Sequence, residues 1–234
     1  MAKTGVRAKK PLVILDFDGT LARVMPNPAQ AKISAKTKAE LEKIACVAKV
    51  VILTGRPRDF VQRQLVGAGG IRVIGLHGNE GLVKTRAMAD LENEAAKFAK
   101  GIRGVVMESK KSGFALHFRK SGMREAKIMM ALSSLLDKAN KCSRMIRGRK
   151  CIEFLPKKAK TKSQVLWGIA AGNRNRRIVF VGDDYSDGEA IRKASTLPNF
   201  QGALIKSHET RMKGVRKISG RMLFQFLKHE LAWG

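Results

Sequence analysis

Leu12-Val13-Ile14-Leu15-Asp16-Phe17-Asp18-Gly19-Thr20-Leu21-Ala22 is the stretch from which the fold is read. Four apolar residues in a row, running straight into charge, suit a strand buried on both faces of a parallel sheet. Gly19 lets the chain turn sharply where that strand ends. The turn presents two carboxylates, Asp16 and Asp18, at the carboxyl edge of a central strand, where open α/β sheets bind ligands. Two carboxylates that close repel unless a cation sits between them, so the pair asks for a metal. For Asp-x-Asp alone, an acidic turn is the plain alternative; the longer run Asp-Phe-Asp-Gly-Thr-Leu argues against it.

The neighbouring sequence extends the same pattern. Ser34 is placed to cap a helix running to about Lys49, with Leu41, Ile44, Ala45 and Ala48 on its apolar face. Residues 50–53 read as a second buried strand, which ends in Thr54-Gly55-Arg56. Pro57 can open the next helix. Residues 71–76 form a third strand that runs into the polar turn His77-Gly78-Asn79-Glu80-Gly81. The result is βαβαβ, a doubly wound parallel sheet.

The pattern changes after residue 82. A helix over 90–102, strands over 104–109 and 113–119, a helix over 124–139 and strands over 144–147 and 150–155 make an αββαββ block. This block reads as an inserted α+β cap domain, 83–158, dividing a core made of 1–82 and 159–234. The α/β pattern then returns. A helix spans 162–171, a strand over 178–181 ends in Gly182-Asp183-Asp184, and a helix starts near Asp187. Residues 203–205 read as an edge strand and 220–231 as a closing amphipathic helix.

Length and composition allow a sizeable core in a chain of 234 residues. The charge is unusual, with 47 Lys and Arg against 19 Asp and Glu giving +28. Such a field favours anions: small phosphates, nucleic acid or an acidic surface. A source organism with a basic proteome would give the same balance. Cys46, Cys142 and Cys151 are an odd number without short spacings, which argues against a disulfide framework or a zinc site. A reducing, cytoplasmic compartment is expected, and no run approaches the length of a membrane span. A monomer is expected.

Polar groups therefore fall at strand ends or helix starts in a fixed order: Asp16 and Asp18, Thr54, a lysine near 162, then Asp183, Asp184 and Asp187. This order resembles the haloacid dehalogenase superfamily of phosphohydrolases, whose motifs stand here as DFDGT, ILTGR, a lysine opening a helix, and GDDYSD. The resemblance implies a HAD-like fold and a magnesium-dependent phosphatase. It makes Asp16 a nucleophile and metal ligand, and Asp18 a general acid and base whose backbone carbonyl also binds the metal. Thr54 would donate to a phosphoryl oxygen. Lys162, or Lys160 as the fallback, would neutralise charge there. Asp183 would bind the metal directly, with Asp184 or Asp187 completing the site. Magnesium suits carboxylates and phosphate oxygen on general grounds.

The inserted block narrows the resemblance. Glu108-Ser109-Lys110, then His117-Phe118-Arg119, then Glu153 ahead of Pro156 are similar to cap motifs of the trehalose-6-phosphate phosphatases, and HGNEG resembles their His-Gly-x-Glu. The implied substrate is trehalose 6-phosphate, with Gly55, Arg56, His77, Glu80, Glu108, Lys110, His117, Arg119 and Glu153 in the substrate site. A disaccharide is a field of hydroxyls, and a site of buried polar groups rejects ligands that leave them unpaired. Plainer roles exist for some of these residues. Glu108 and Arg119 could form a cross-strand ion pair, and His117 could be a strand histidine with a local partner. Gly188 stands where the family has glutamate, Phe118 where it has tyrosine and Ser186 where it has threonine. Another sugar phosphate, such as mannosyl-3-phosphoglycerate, would use the same chemistry. A basic polyanion-binding protein on this scaffold is the alternative of a different class, in which nucleic acid makes only a non-specific electrostatic contact.

Overall fold

The computed structural model describes residues 9–148, 150–206 and 212–232. β1 (Leu12–Leu15) is buried along its whole length. Its side chains feed two cores alternately. Val13 and Leu15 pack on one face of the sheet, and Leu12 and Ile14 on the other, as the period of two in a strand dictates. A cavity-forming Leu15→Ala change here would cost about 2–5 kcal/mol.

α1 (Ala35–Val47) follows, capped by the Ser34 hydroxyl, which accepts from the Thr37 N–H at 3.0 Å. It stops two residues short of the expected end because Lys49 already belongs to β2 (Lys49–Leu53), paired with Leu12 of β1. α2 (Arg58–Gln62) leads to β3 (Ile71–Ile74). That strand ends earlier than expected because Leu76 and His77 adopt left-handed backbone (φ 47° and 50°) and turn the chain out of the sheet.

The inserted block holds α3 (Arg86–Gly101), β4 (Val106–Lys110), β5 (Gly113–His117), α4 (Glu125–Ala131), α5 (Ser133–Cys142), β6 (Ser143–Gly148) and β7 (Cys151–Pro156). The single helix expected over 124–139 is two helices. The chain bends at Leu132 (φ −87°, ψ −1°), whose side chain turns into the core. The strands form an antiparallel sheet of order β4-β5-β7-β6. Helices cover one face only. Leu91, Ala95, Ile128 and Leu135 pack there on Phe114, Leu116, Ile152 and Phe154. Phe114 and Phe154 are cross-strand partners with stacked rings 4.6 Å apart.

The chain returns through α6 (Lys162–Ala171), β8 (Ile178–Gly182), α7 (Tyr185–Ala194), β9 (Phe200–Ile205), β10 (Lys217–Ile218) and α8 (Leu223–Ala232). The first sheet has the order β10-β9-β8-β1-β2-β3 and is parallel throughout. The strand expected at 203–205 is longer than expected and does not form the edge. β9 lies between β8 and the two-residue β10, which takes the outer position. α1, α2 and α8 cover the Val13 face, while α6 and α7 cover the Ile14 face. Strand order reverses between β1 and β8, which creates a crevice at their carboxyl ends. Among the described residues no helix is long and apolar enough to cross a membrane.

Candidate active site

The crevice collects side chains from four strand ends. Asp16 follows β1, Thr54 follows β2, His77 lies in the turn after β3, and Asp183 follows β8. The β1 and β8 turns approach closely. Gly19 has φ +84°, and a Cβ there would stand 1.9 Å from Asp183 Oδ2, so no side chain fits.

α6 brings the cation. A capping box fixes its start: the Thr161 hydroxyl accepts from Gln164 N–H at 3.1 Å and Gln164 Oε1 accepts from Thr161 N–H at 2.9 Å. Lys162 is the first helical residue and is almost fully buried. Its Nζ lies 2.5 Å from Asp16 Oδ1 and 2.6 Å from Asp187 Oδ1. The structure thus sets Lys162, rather than the exposed Lys160, against Asp16. Asn79 braces this arrangement. Its amide donates to Lys160 O at 2.9 Å and accepts from Lys160 N–H at 2.8 Å.

The three aspartates after β8 have separate tasks. Asp184 caps α7, accepting from Asp187 N–H at 2.9 Å and Ser186 Oγ at 2.8 Å. Asp187 is fully buried, and its Oδ2 accepts from the N–H groups of Asp183 and Asp184 at 3.0 and 3.2 Å. Asp183 projects toward Asp16. Each of Asp16, Asp183 and Asp187 offers a carboxylate oxygen within 4.8 Å of the others.

This cluster is charged beyond what Lys162 can balance. Burial, and then the repulsion of Asp187 and Asp184, hold Asp16 well above the usual carboxylate range, with Lys162 opposing them. Burial and Asp16 raise Asp183 likewise. Burial and Asp187 push Asp184 up to about 6. Burial acts upward on Asp187 too, but Lys162 and two backbone donors outweigh it and lower its pKa. Crowded, desolvated carboxylates of this kind, all oxygen donors, fit a hard divalent cation. The Asp18 side chain is not in the cluster. It takes a bidentate pair from Arg56, with both N–O distances 2.7 Å.

The inserted sheet roofs the crevice. Its helix-free face carries every second residue of three strands, and the register aligns Glu108, Ala115 and Glu153 in one row and His117 and Cys151 in another. Small Ala115 leaves space between the two glutamates. Lys110 Nζ lies 2.5 Å from Glu153 Oε1, and His77 Nε2 reaches up to Glu153 Oε2 at 3.4 Å. His117 pairs with Glu108 at 2.7 Å. Although burial acts in the opposite direction, Lys110 and His77 hold Glu153 far below the ordinary range, and Glu153 and Glu108 raise Lys110. Burial likewise opposes, but does not overcome, the lowering of Glu108 by His117 and Lys110. Burial pushes the Cys151 thiol up to about 12.

Between roof and floor lies a cleft of about 160 Å³. Of the residues expected at the site, all but Glu80 and Asp187 line it. Asp187 sits beneath its floor. Glu80 is turned away into an ion pair with Arg58. The possible Glu108–Arg119 pair does not form: Glu108 takes His117, and Arg119, beyond the end of β5, donates to Met25 O at 2.8 Å. Met25, Ile146, Cys151 and Ser186 also line the cleft and were not expected there. Met25 acts through a main-chain carbonyl, which leaves no mark in a sequence.

Two departures from the family pattern fall outside the cleft. A Cβ on Gly188 would stand 2.2 Å from Met212 Sδ, on the apolar side of α7. Phe118 is buried in the core of the inserted block. Ser186 lines the cleft and keeps a hydroxyl there.

Residues 14–221 match the family model described as Trehalose-phosphatase. A trehalose-phosphate phosphatase of Mycobacterium tuberculosis is 30% identical over 210 residues, covering 80% of this chain and 52% of that protein. The chain spans about half the length of the curated relatives it matches. The C-terminal domain of C. albicans trehalose-6-phosphate phosphatase superposes with a TM-score of 0.76 at 13% identity, covering 96% of this chain and 93% of that one. A haloacid dehalogenase-like hydrolase from Bacteroides thetaiotaomicron superposes at 0.63 with 14% identity, covering 94% and 99%. These two likenesses establish the fold, and the sequence match across nearly all of the chain establishes more: it belongs to the trehalose-phosphatase family.

Proposed function

We propose that this chain is a magnesium-dependent phosphatase that hydrolyses trehalose 6-phosphate to trehalose and phosphate. The observation that carries the reading is the Asp16 carboxylate, held 2.5 Å from Lys162 at the end of the central strand and roofed by a sheet face of paired acids and bases.

Asp16 attacks phosphorus, the bond to the sugar oxygen breaks, and an aspartyl-phosphate forms, which water then hydrolyses. Asp18 gives a proton to the leaving oxygen and later takes one from the attacking water. The substrate phosphate competes with Asp18 for the Arg56 guanidinium, which frees the carboxyl to turn toward the leaving group. Thr54 Oγ1 accepts from Arg56 N–H at 3.0 Å, so its own proton remains for a phosphoryl oxygen. Lys162 offsets charge on that group and on Asp16. Asp16, Asp183 and Asp187, with the Asp18 carbonyl, would hold magnesium, which when bound supplies charge neutralisation for the phosphate.

Residues 83–158 act in this proposal as the cap and 1–82 with 159–234 as the core. Glu108, Lys110, His117 and Glu153 exchange their mutual ion pairs for sugar hydroxyls, while Asp184 serves as the cap of α7. The free thiols of Cys46, Cys142 and Cys151 suit a reducing cytosol. Phosphate release with magnesium would be measured on trehalose 6-phosphate, glucose 6-phosphate, sucrose 6-phosphate, mannosyl-3-phosphoglycerate and an aryl phosphate. Strong preference for the first is expected. Activity on the aryl phosphate alone would remove the disaccharide, and no activity on any of them would remove the phosphatase.

A further inference from the structure

The charge of the chain is not explained by a small anionic substrate. Seven of the 19 acidic residues line the cleft or lie under it, which leaves 12 for the rest of a chain with 47 Lys and Arg. The excess has a focus. At the amino-terminal edge of the parallel sheet, opposite the cleft, a groove of about 750 Å³ runs between the ends of α1 and α8, the approach to β1 and the turn before β8. Among the described residues six cations line it, Lys9, Lys10, Lys43, Arg176, Arg177 and Lys228, and no acid does.

Among the described residues two carboxylates stand behind these cations. Glu40 is shared by Lys43 and Lys228, each at 2.8 Å, and Glu230 by Arg177 and Arg216 at 2.6 and 3.0 Å. Lys10 is pinned by Cys46 O at 2.8 Å. Arg176 Nη1 touches Lys10 O at 3.4 Å, while its Nε is buried with no hydrogen-bond partner. The cations are therefore held as a rim rather than dispersed. The floor between them is apolar, with Ile44, Leu231 and the exposed Val47. Among the described residues its lining is mostly aliphatic and cationic, which suits a sugar–phosphate backbone rather than base stacking.

We propose that this groove binds the sugar–phosphate backbone of a nucleic-acid duplex, independently of sequence. Phosphates meet the cationic rim, and arginines suit phosphate oxygens in particular. Deoxyribose carbons lie on the apolar floor. A flat membrane does not reach into a concave floor. The β strands separate this edge from the cleft by about 15 Å, so the duplex and a small substrate do not compete for space.

Fluorescence anisotropy with a labelled 20-base-pair duplex across a salt series tests the proposal on three proteins. These are the wild type, a groove variant (Lys9→Gln, Lys43→Gln, Arg176→Gln), and a variant of equal charge on the inserted block (Lys97→Gln, Lys100→Gln, Lys127→Gln). Losing three phosphate contacts should flatten the slope of log affinity against log salt by about 3 and weaken binding roughly tenfold or more at 0.15 M salt. The second variant should stay within about twofold of wild type. Equal losses in both variants would reduce the effect to net charge and overturn the groove. Absence of wild-type binding at 0.15 M salt would overturn it as well. Tighter binding of poly-glutamate of matched charge, lost in the groove variant, would assign the groove to an acidic peptide instead.

Discussion

The two sheets display functional groups in opposite ways. The parallel sheet is covered by helices on both faces, so its strands have no face to spare, and its functional groups sit past strand ends or at the starts of the following helices. The antiparallel sheet has helices on one face only, so its strands can carry polar groups along their length, at every second position. The lesson concerns distance along the chain. An end-loaded site comes from short contiguous motifs, Asp16 to Asp18, Thr54 to Arg56 and Asp183 to Asp187. A face-loaded site is spread over pairs such as Glu108 with Lys110 and Cys151 with Glu153, each separated by a residue that points the other way: the exposed Ser109 and the core residue Ile152.

The comparison is tested most strongly at Asp16. Asp16→Asn should abolish phosphate release on every substrate, by roughly 10³-fold or more, with an unchanged circular dichroism spectrum. Turnover that survives, free of contaminating enzyme, would remove the nucleophile from the strand end. Glu153→Ala should lower kcat/KM for the disaccharide by about 10- to 100-fold and barely alter an aryl phosphate. Equal losses would mean that the face-loaded residues serve the fold rather than the sugar.

A smaller effect separates the sites by pH. Burial and Asp187 push Asp184 up to about 6, and burial raises Asp16 and Asp183 above the ordinary carboxylate value as well. A carboxyl whose folded pKa is raised keeps its proton better when folded, so the stability tied to that proton is lost as pH rises through the folded value. Without divalent cations the chain should therefore melt a few degrees lower at pH 8 than at pH 6. Magnesium should remove most of that difference. Glu153, lowered instead, loses its contribution only in acid and drops out of this window. Identical melting at both pH values, with and without magnesium, would contradict the charge crowding described here. The smallest effect belongs to Phe118→Tyr. It should leave turnover unchanged and cost about 1–3 kcal/mol in urea unfolding, because the added hydroxyl enters a dry core. A gain in disaccharide turnover would show that the tyrosine of the family pattern reaches the cleft.

The same contrast governs what could be read before any coordinates. The core was legible because buried parallel strands are uninterrupted apolar runs and their ends are marked by acids and glycines. Resemblance alone favours Lys162 over Lys160 in the sequence, and the capping box that opens α6 at Lys162 is what sets it, rather than Lys160, beside Asp16. Glu80 pairs with Arg58 outside the cleft, because a motif letter carries no direction and its turn bends through two left-handed residues. The departures at Gly188 and Phe118 are of the same kind, since residue identity alone does not say which face of a helix or strand a position occupies. The bend at Leu132 is a tertiary effect, set by the core into which that leucine folds.

Asn79 carries a mechanical consequence. The roof joins the floor through two crossings of the chain, and the second, after Pro156, leads within a few residues to Lys162. By gripping both the amide and the carbonyl of Lys160, Asn79 clamps this crossing to the floor just before the lysine. A roof that lifts to admit substrate must pivot upstream of that clamp. The ammonium can then stay on Asp16 throughout the swing, and opening the cleft need not dismantle the charge arrangement beneath it.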